Sequence, residues 1–86
     1  MSYKKVVIYT KDRCSYCVNA KQLLKSKNIP YEEIDVSTPE IHEKMMALAE
    51  GRRTVPQIFF DGIPIGGFDK LSELEMAGKL DALVQR

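Results

Sequence analysis

The sequence predicts an α/β fold: a four-stranded mixed sheet flanked by helices, in the element order β-α-β-α-β-β-α. Three observations predict it. The chain opens on a strand-helix-strand pattern, which implies a parallel pair joined by a right-handed crossover. Two short apolar runs later meet at Asp61-Gly62, a strong two-residue hairpin signal. The chain has 86 residues, 44% of them apolar and 29% charged, which suits one small globular domain spanning residues 1–86.

Each element has a local reason. Val6, Val7, Ile8 and Tyr9 are β-formers, so Lys5 to Thr10 reads as a short buried strand ending at polar Lys11-Asp12-Arg13. From about Ser15 to Lys27, Tyr16, Cys17, Ala20, Leu23 and Leu24 recur at helical spacing with lysines between them, which predicts an amphipathic helix. Asn28-Ile29-Pro30 breaks it, and Tyr31 to Val36 forms a weak second strand. Ser37-Thr38-Pro39-Glu40 signals the next helix: a hydroxyl cap, a proline near the first helical position, and Glu40 three residues after Ser37 as in a capping box. Ile41, Met45 and Leu48 supply its stripe, and Gly51 is placed to end it in a left-handed conformation. Gln57 to Phe60 and Ile63 to Gly66 are the hairpin strands. Pro64 lacks an amide donor, which assigns the last strand to a sheet edge. Phe68 to Ala77 and Lys79 to Val84, separated by Gly78, read as one interrupted helix or two short ones.

Composition excludes several classes of function. Thirteen basic and twelve acidic residues leave a formal charge of +1, so no global field favours nucleic acid or an anionic membrane. The N-terminal apolar run is too short for a signal-peptide core or a membrane span, and the chain is expected in the cytoplasm. The two cysteines fall within four residues and cannot staple distant parts of a fold. Together with the lone His42 they cannot supply four zinc ligands within one chain. Local cysteine chemistry remains.

Cys14-Ser15-Tyr16-Cys17 lies where the first strand passes into the first helix. Unpaired amides and the helix dipole favour negative charge there, so a thiolate is favoured at Cys14. Lys11 and Arg13 add nearby positive charge. Cys17 lies about one turn further on, on the core side, and suits a resolving role. In the implied cycle Cys14 attacks a disulfide sulfur, and Cys17 or an external thiol resolves the mixed disulfide. No tightly bound cofactor is required.

Tyr9-Thr10-Lys11 before the cysteine motif, then Thr54-Val55-Pro56, then Gly66-Gly67-Phe68-Asp69 resemble the dithiol glutaredoxins, and the similarity runs nearly the whole chain. The resemblance implies a thioredoxin-like fold and glutathione as cosubstrate, with disulfide-containing or glutathionylated proteins as partners. It also implies that Pro56 is cis and faces the cysteines; without it, Pro56 reads as an ordinary trans proline starting a strand. Val55 then offers its backbone to the glutathione cysteine, with Thr54 beside it. Lys11 and Arg53 approach the glycyl carboxylate. The amides of Phe68 and Asp69 meet the γ-glutamyl carboxylate, and Asp69 accepts from the ammonium group. Tyr16 lines the groove, and Gly66 and Gly67 permit close backbone approach.

Two positions depart from the family pattern: Ser15 stands where many relatives have proline, and Lys70 where many have a second acidic residue. Some relatives lacking that proline assemble a [2Fe-2S] cluster between two subunits with glutathione, so a cluster-binding dimer using Cys14 is the alternative to a monomeric enzyme. A redoxin served by thioredoxin reductase would share the cysteines but not Lys11 and the Gly66-to-Asp69 motif. The remaining features read as structural. His42 is expected on a solvated helix face, Met45, Met46 and Leu48 in the core, Lys21, Lys25 and Lys27 in solvent, and Arg52 in a loop.

Overall fold

A computed structural model describes residues 2–86. Its strands are β1 (Val6–Thr10), β2 (Glu32–Asp35), β3 (Gln57–Phe60) and β4 (Ile63–Gly66). Its helices are α1 (Ser15–Ser26), α2 (Pro39–Leu48), α3 (Phe68–Met76) and α4 (Leu80–Val84). The sheet order is β2-β1-β3-β4. β1 pairs with β2 in parallel and with β3 antiparallel, and β3 pairs antiparallel with β4.

Strand periodicity explains how the sheet divides the core. Val6 and Ile8 of β1 stand opposite Phe60 and Ile58 of β3, so all four face the same side. There they pack with Ala20 and Leu24 of α1, Leu71 of α3, and Leu80 and Val84 of α4. Tyr9 and Phe59 face the other side and meet Val36, Met45 and Ala49 from α2 and its flanks. Their rings lie edge to face, with centroids 5.5 Å apart. Both faces are therefore covered, as the opening strand-helix-strand unit requires.

The hairpin forms at Asp61 (φ +51°) and Gly62 (φ +81°), the two positive angles of a type I′ turn. The Asp61 carboxylate also accepts from the Lys5 amide at 2.6 Å and pairs with Arg86 at 2.7 Å. Pro64 sits on edge strand β4, as its missing donor requires. Gly51 takes a φ of +90° after α2.

Several expectations are corrected. The cap of α2 is Thr38, whose Oγ1 accepts from the Ile41 amide at 3.4 Å; the Ser37 amide instead donates to the Asp35 carboxylate at 2.7 Å. Pro39 at the first helical position moves the helix start one residue beyond the expected capping box. Leu48 is exposed rather than in the core, because it falls in the last turn of α2; Met46 is half-buried and Met45 fully buried. The final helical stretch takes the second of the two expected forms, two short helices, α3 and α4, with Gly78 (φ +71°) between them. Lys27 does not project into solvent but bridges Glu75 of α3 at 2.9 Å and Asp81 of α4 at 3.1 Å. Lys21 pairs with Glu33 of β2 at 2.9 Å.

Candidate active site

The turn from β1 into α1 sets the site. Arg13 adopts φ +60°, a left-handed conformation uncommon for a residue with a side chain. It reverses the chain so that Cys14, in extended conformation, becomes the N-cap of α1. The orphan amides of a helix start need acceptors, and the Cys14 sulfur takes one, receiving the Cys17 amide at 3.2 Å. On its other side the Cys14 thiol reaches the Val55 carbonyl at 3.7 Å. Cys14 is half-buried and Cys17 only 2% exposed.

That burial sets the character of Cys17. Removal from water, helped by its hydrogen bond with Cys14, pushes the Cys17 thiol up to about 11, against smaller opposing effects of a hydrogen bond with the Lys11 backbone and of the Lys21 ammonium. Cys17 therefore keeps its proton at neutral pH.

Two clefts open beside Cys14. One, of about 420 Å³, is lined by Tyr16, Thr54, Val55, Pro56, Gly67, Phe68 and Asp69. The Val55-Pro56 bond forming its floor is cis, and the Tyr16 and Phe68 rings stack across it, centroids 6.2 Å apart. Gly67 caps α3 so closely that a Cβ there would lie 3.4 Å from the Pro56 carbonyl oxygen and 3.3 Å from the Asp69 carboxylate. The Phe68 and Asp69 amides stand at the start of α3, where an intrahelical acceptor is lacking. The second cleft, of about 540 Å³, contains Lys11, Arg13, Cys14 and Arg53 and shares Tyr16, Thr54 and Val55 with the first. The expected glutathione-site residues thus line two adjoining clefts joined at Tyr16, Thr54 and Val55, cationic in the one that holds Cys14 and carrying Asp69 and the first amides of α3 in the other.

A glutaredoxin family model matches residues 6–65 of this chain. The chain belongs to the glutaredoxin family. It is a glutathione-dependent thiol-disulfide oxidoreductase with a dithiol pair. It is 50% identical over 82 residues to glutaredoxin 1 of Rickettsia felis, covering 93% of this chain and 80% of that one. A glutaredoxin from Brucella melitensis, solved in solution, is 45% identical and superposes with a TM-score of 0.86 over 99% of this chain and 92% of that one. A buckwheat glutaredoxin-glutathione complex is 31% identical and superposes at 0.83 over 94% of this chain and 76% of that one. The thioredoxin-like fold follows from the same superpositions.

Within this glutaredoxin, one side chain lies differently from its expectation, and the position of Lys70 is set by its own helix. His42 is half-buried, not solvated; it lines the cationic cleft, and its Nε2 is 3.0 Å from the Arg53 carbonyl oxygen. Nothing in the sequence signals this, because α2 and the loop meet only in the folded chain. Lys70 lies outside both clefts, 3.6 Å from Glu73 on its own helix. The left-handed Arg13 likewise carries no sequence signal, since neither glycine nor asparagine marks the turn.

Proposed function

We propose that this glutaredoxin reduces protein disulfides and glutathione mixed disulfides, with Cys14 as nucleophile and Cys17 as resolving thiol. The observation that carries this reading is the position of the Cys14 sulfur. It receives the Cys17 amide at 3.2 Å, lines the cationic cleft, and lies 3.7 Å from the carbonyl of Val55, a residue that both clefts share. An amide aimed at sulfur stabilises its anion, the nucleophilic form.

Glutathione lies across both clefts in this reading. Its sulfur joins Cys14, and its cysteinyl backbone runs beside Val55, next to cis-Pro56 and Thr54. Lys11 and Arg53 take the glycyl carboxylate by charge-assisted hydrogen bonds. The Phe68 and Asp69 amides at the start of α3 take the γ-glutamyl carboxylate, and the Asp69 side chain accepts from the ammonium group. Tyr16 and Phe68 close the groove, and Gly67 lets the ligand approach the backbone.

In the first step the Cys14 thiolate displaces one thiolate from the substrate disulfide. Cys17 then displaces the second from Cys14, or glutathione does so directly. Reduction coupled to glutathione should be abolished in Cys14→Ser. Cys17→Ser should retain removal of glutathione from proteins while losing reduction of protein disulfides. Turnover unchanged in Cys14→Ser overturns the reading.

The rest of the expected biology goes with this proposal: one domain acting as a monomer in the cytoplasm, with no tightly bound cofactor. No helix among the described residues is long and apolar enough to cross a membrane. The second reading, a [2Fe-2S] dimer, rests on Ser15, exposed beside Cys14 in place of proline. Among the described residues no group of three His, Cys, Asp or Glu side chains could hold a metal, and Cys17 is buried. One chain would therefore supply Cys14 alone. Visible absorption of anaerobically purified protein that disappears in Cys14→Ser, together with a dimeric mass, supports this second reading.

A further inference from the structure

A third cleft, of about 490 Å³, reaches both cysteines; it adjoins the cationic cleft at Lys11, Arg13, Cys14 and Ser15 and extends to Cys17 and Lys21. Its charged lining is Lys11, Asp12, Arg13, Lys21, Glu33 and Asp35. Lys21 lies four residues after Cys17 on α1, so the two share one helix face. The Lys21 ammonium is not free to swing away. Glu33 of β2 holds it at 2.9 Å, and the same carboxylate oxygen accepts from the Thr10 hydroxyl at 2.7 Å. Thr10 is 2% exposed and fixed in β1. A buried hydroxyl thus orients a carboxylate, and the carboxylate holds a cation one turn from a thiol that must ionise in order to act.

We propose that Lys21, held by Glu33 and Thr10, is a positioning residue for the resolving step: its ammonium group steadies the negative charge on Cys17 as that thiol attacks the mixed disulfide on Cys14. The inference rests on the resolving role given to Cys17 above. In this step the Cys17 sulfur forms a bond to the Cys14 sulfur, and the bond from Cys14 to the substrate sulfur breaks. The Cys17 sulfur is oxidised to the disulfide level as the leaving sulfur is reduced to a thiolate, which takes up a proton; over both displacements the dithiol gives two electrons to the substrate disulfide. The proton from Cys17 leaves through the water-accessible cleft. Consistent with this placement, the Lys21 charge opposes the effect of burial on Cys17, adding to a larger opposing effect of the Lys11 backbone.

The two halves of the ion pair have opposite effects. Lys21→Gln removes the favourable charge. Glu33→Gln keeps an amide oxygen able to accept from Lys21 and Thr10 but removes the negative charge that offsets the ammonium. A purely structural role would move both variants in the same direction.

The test uses the intact reduced protein and 4,4′-dithiodipyridine, a neutral disulfide, in stopped flow. Attack by Cys14 gives a first phase whose rate depends on reagent concentration. Displacement by Cys17 gives a second, concentration-independent phase. Lys21→Gln should slow the second phase about threefold or more at pH 7, the effect of one unit charge partly screened by solvent. Glu33→Gln should accelerate it, and Lys21→Arg should restore it. The second-phase rate should change more than the first in each case. A second phase unmoved by Lys21→Gln, or moved the same way by both neutral variants, overturns the inference. Should Lys21→Gln fail to fold, a slower second phase in Glu33→Gln overturns it. Absence of any second phase in the native protein overturns instead the resolving role of Cys17.

Discussion

Burying one thiol while leaving its neighbour half-open makes a measurable difference between two cysteines three positions apart. Cys17 is pushed up to about 11 from an ordinary value of 9.0, first by burial and then by its hydrogen bond with Cys14. Two units correspond to about a hundredfold less thiolate at neutral pH than in an ordinary cysteine. Cys14→Ser isolates Cys17 and keeps the larger cause, burial. In that variant iodoacetamide should alkylate Cys17 roughly 10- to 100-fold more slowly than in the same chain unfolded in guanidinium, followed by mass spectrometry. Shielding alone would also slow the reaction, so the pH profile decides. With the proton held, the rate climbs about tenfold per pH unit to beyond pH 10. A rate that levels off near pH 9, or that lies within threefold of the unfolded chain, refutes the reasoning. The same shift sets a stability trend. Between about pH 9 and 11 the folded chain holds a proton that the unfolded chain has lost, so stability falls as pH rises. The contribution is complete below that window and gone above it. Cys17→Ala should lack this alkaline component in denaturant titrations.

Leu24 is fully buried between α1 and the sheet, so Leu24→Ala should cost about 3 kcal/mol through lost transfer energy and a cavity. Calorimetry should show the melting midpoint lowered by roughly 10–25 °C for a domain of this size. Thr38→Ala should lose about 0.5–1 kcal/mol in urea titration while Ser37→Ala changes little, which separates the observed cap from the one the sequence suggests. Gly67→Val should raise the KM for glutathione several-fold by crowding the Pro56 carbonyl and Asp69, while alkylation of Cys14 by iodoacetamide stays within about twofold of native. An unchanged KM would show that the groove does not depend on this close approach.

What the sequence made legible was whatever depends on near neighbours in the chain. Val6 and Ile8 alternate with Tyr9 because a strand has period two, and Asp61-Gly62 specifies a turn through its own two φ angles. The cysteines announce their helix start because both the cap and the motif are local. Residues paired across the fold were not legible. Lys27 reads as one more exposed lysine on α1, yet it lies between Glu75 and Asp81, some fifty residues later. His42 meets Arg53 only after α2 has packed. Lys21 follows the same logic, since its partner Glu33 lies across a parallel crossover. Ser37 and Thr38 show a finer limit: both are good caps, and only the position of Pro39 at the start of α2 selects between them. The groove residues themselves were found through the family pattern, not through any period or spacing rule.

The spacing of the two cysteines is better understood as helix capping than as a pair of nearby thiols. Cys14 is the N-cap of α1, Ser15 and Tyr16 are the next two positions, and Cys17 is the third. The third residue of a helix is one whose amide a capping side chain accepts, so the same two intervening residues bring the Cys17 amide to the Cys14 sulfur. They also turn the Cys17 side chain onto the face that carries Ala20 and Leu24 into the core. One geometric relation therefore gives the Cys14 sulfur an amide donor and buries the Cys17 side chain. Inserting an alanine after Tyr16 separates these effects. Cys17, Ala20 and Leu24 keep the packed part of α1 in place, so the extra residue is absorbed upstream and Ser15, itself a good cap, takes the N-cap position. Cys14 then moves outside the helix and loses the amide. The insertion variant should melt within a few degrees of the native protein, since one favourable cap replaces another, and its reaction with iodoacetamide at pH 7 should fall to that of an ordinary exposed cysteine. If Cys14 keeps its native reactivity in a folded insertion variant, the cap is not what activates it.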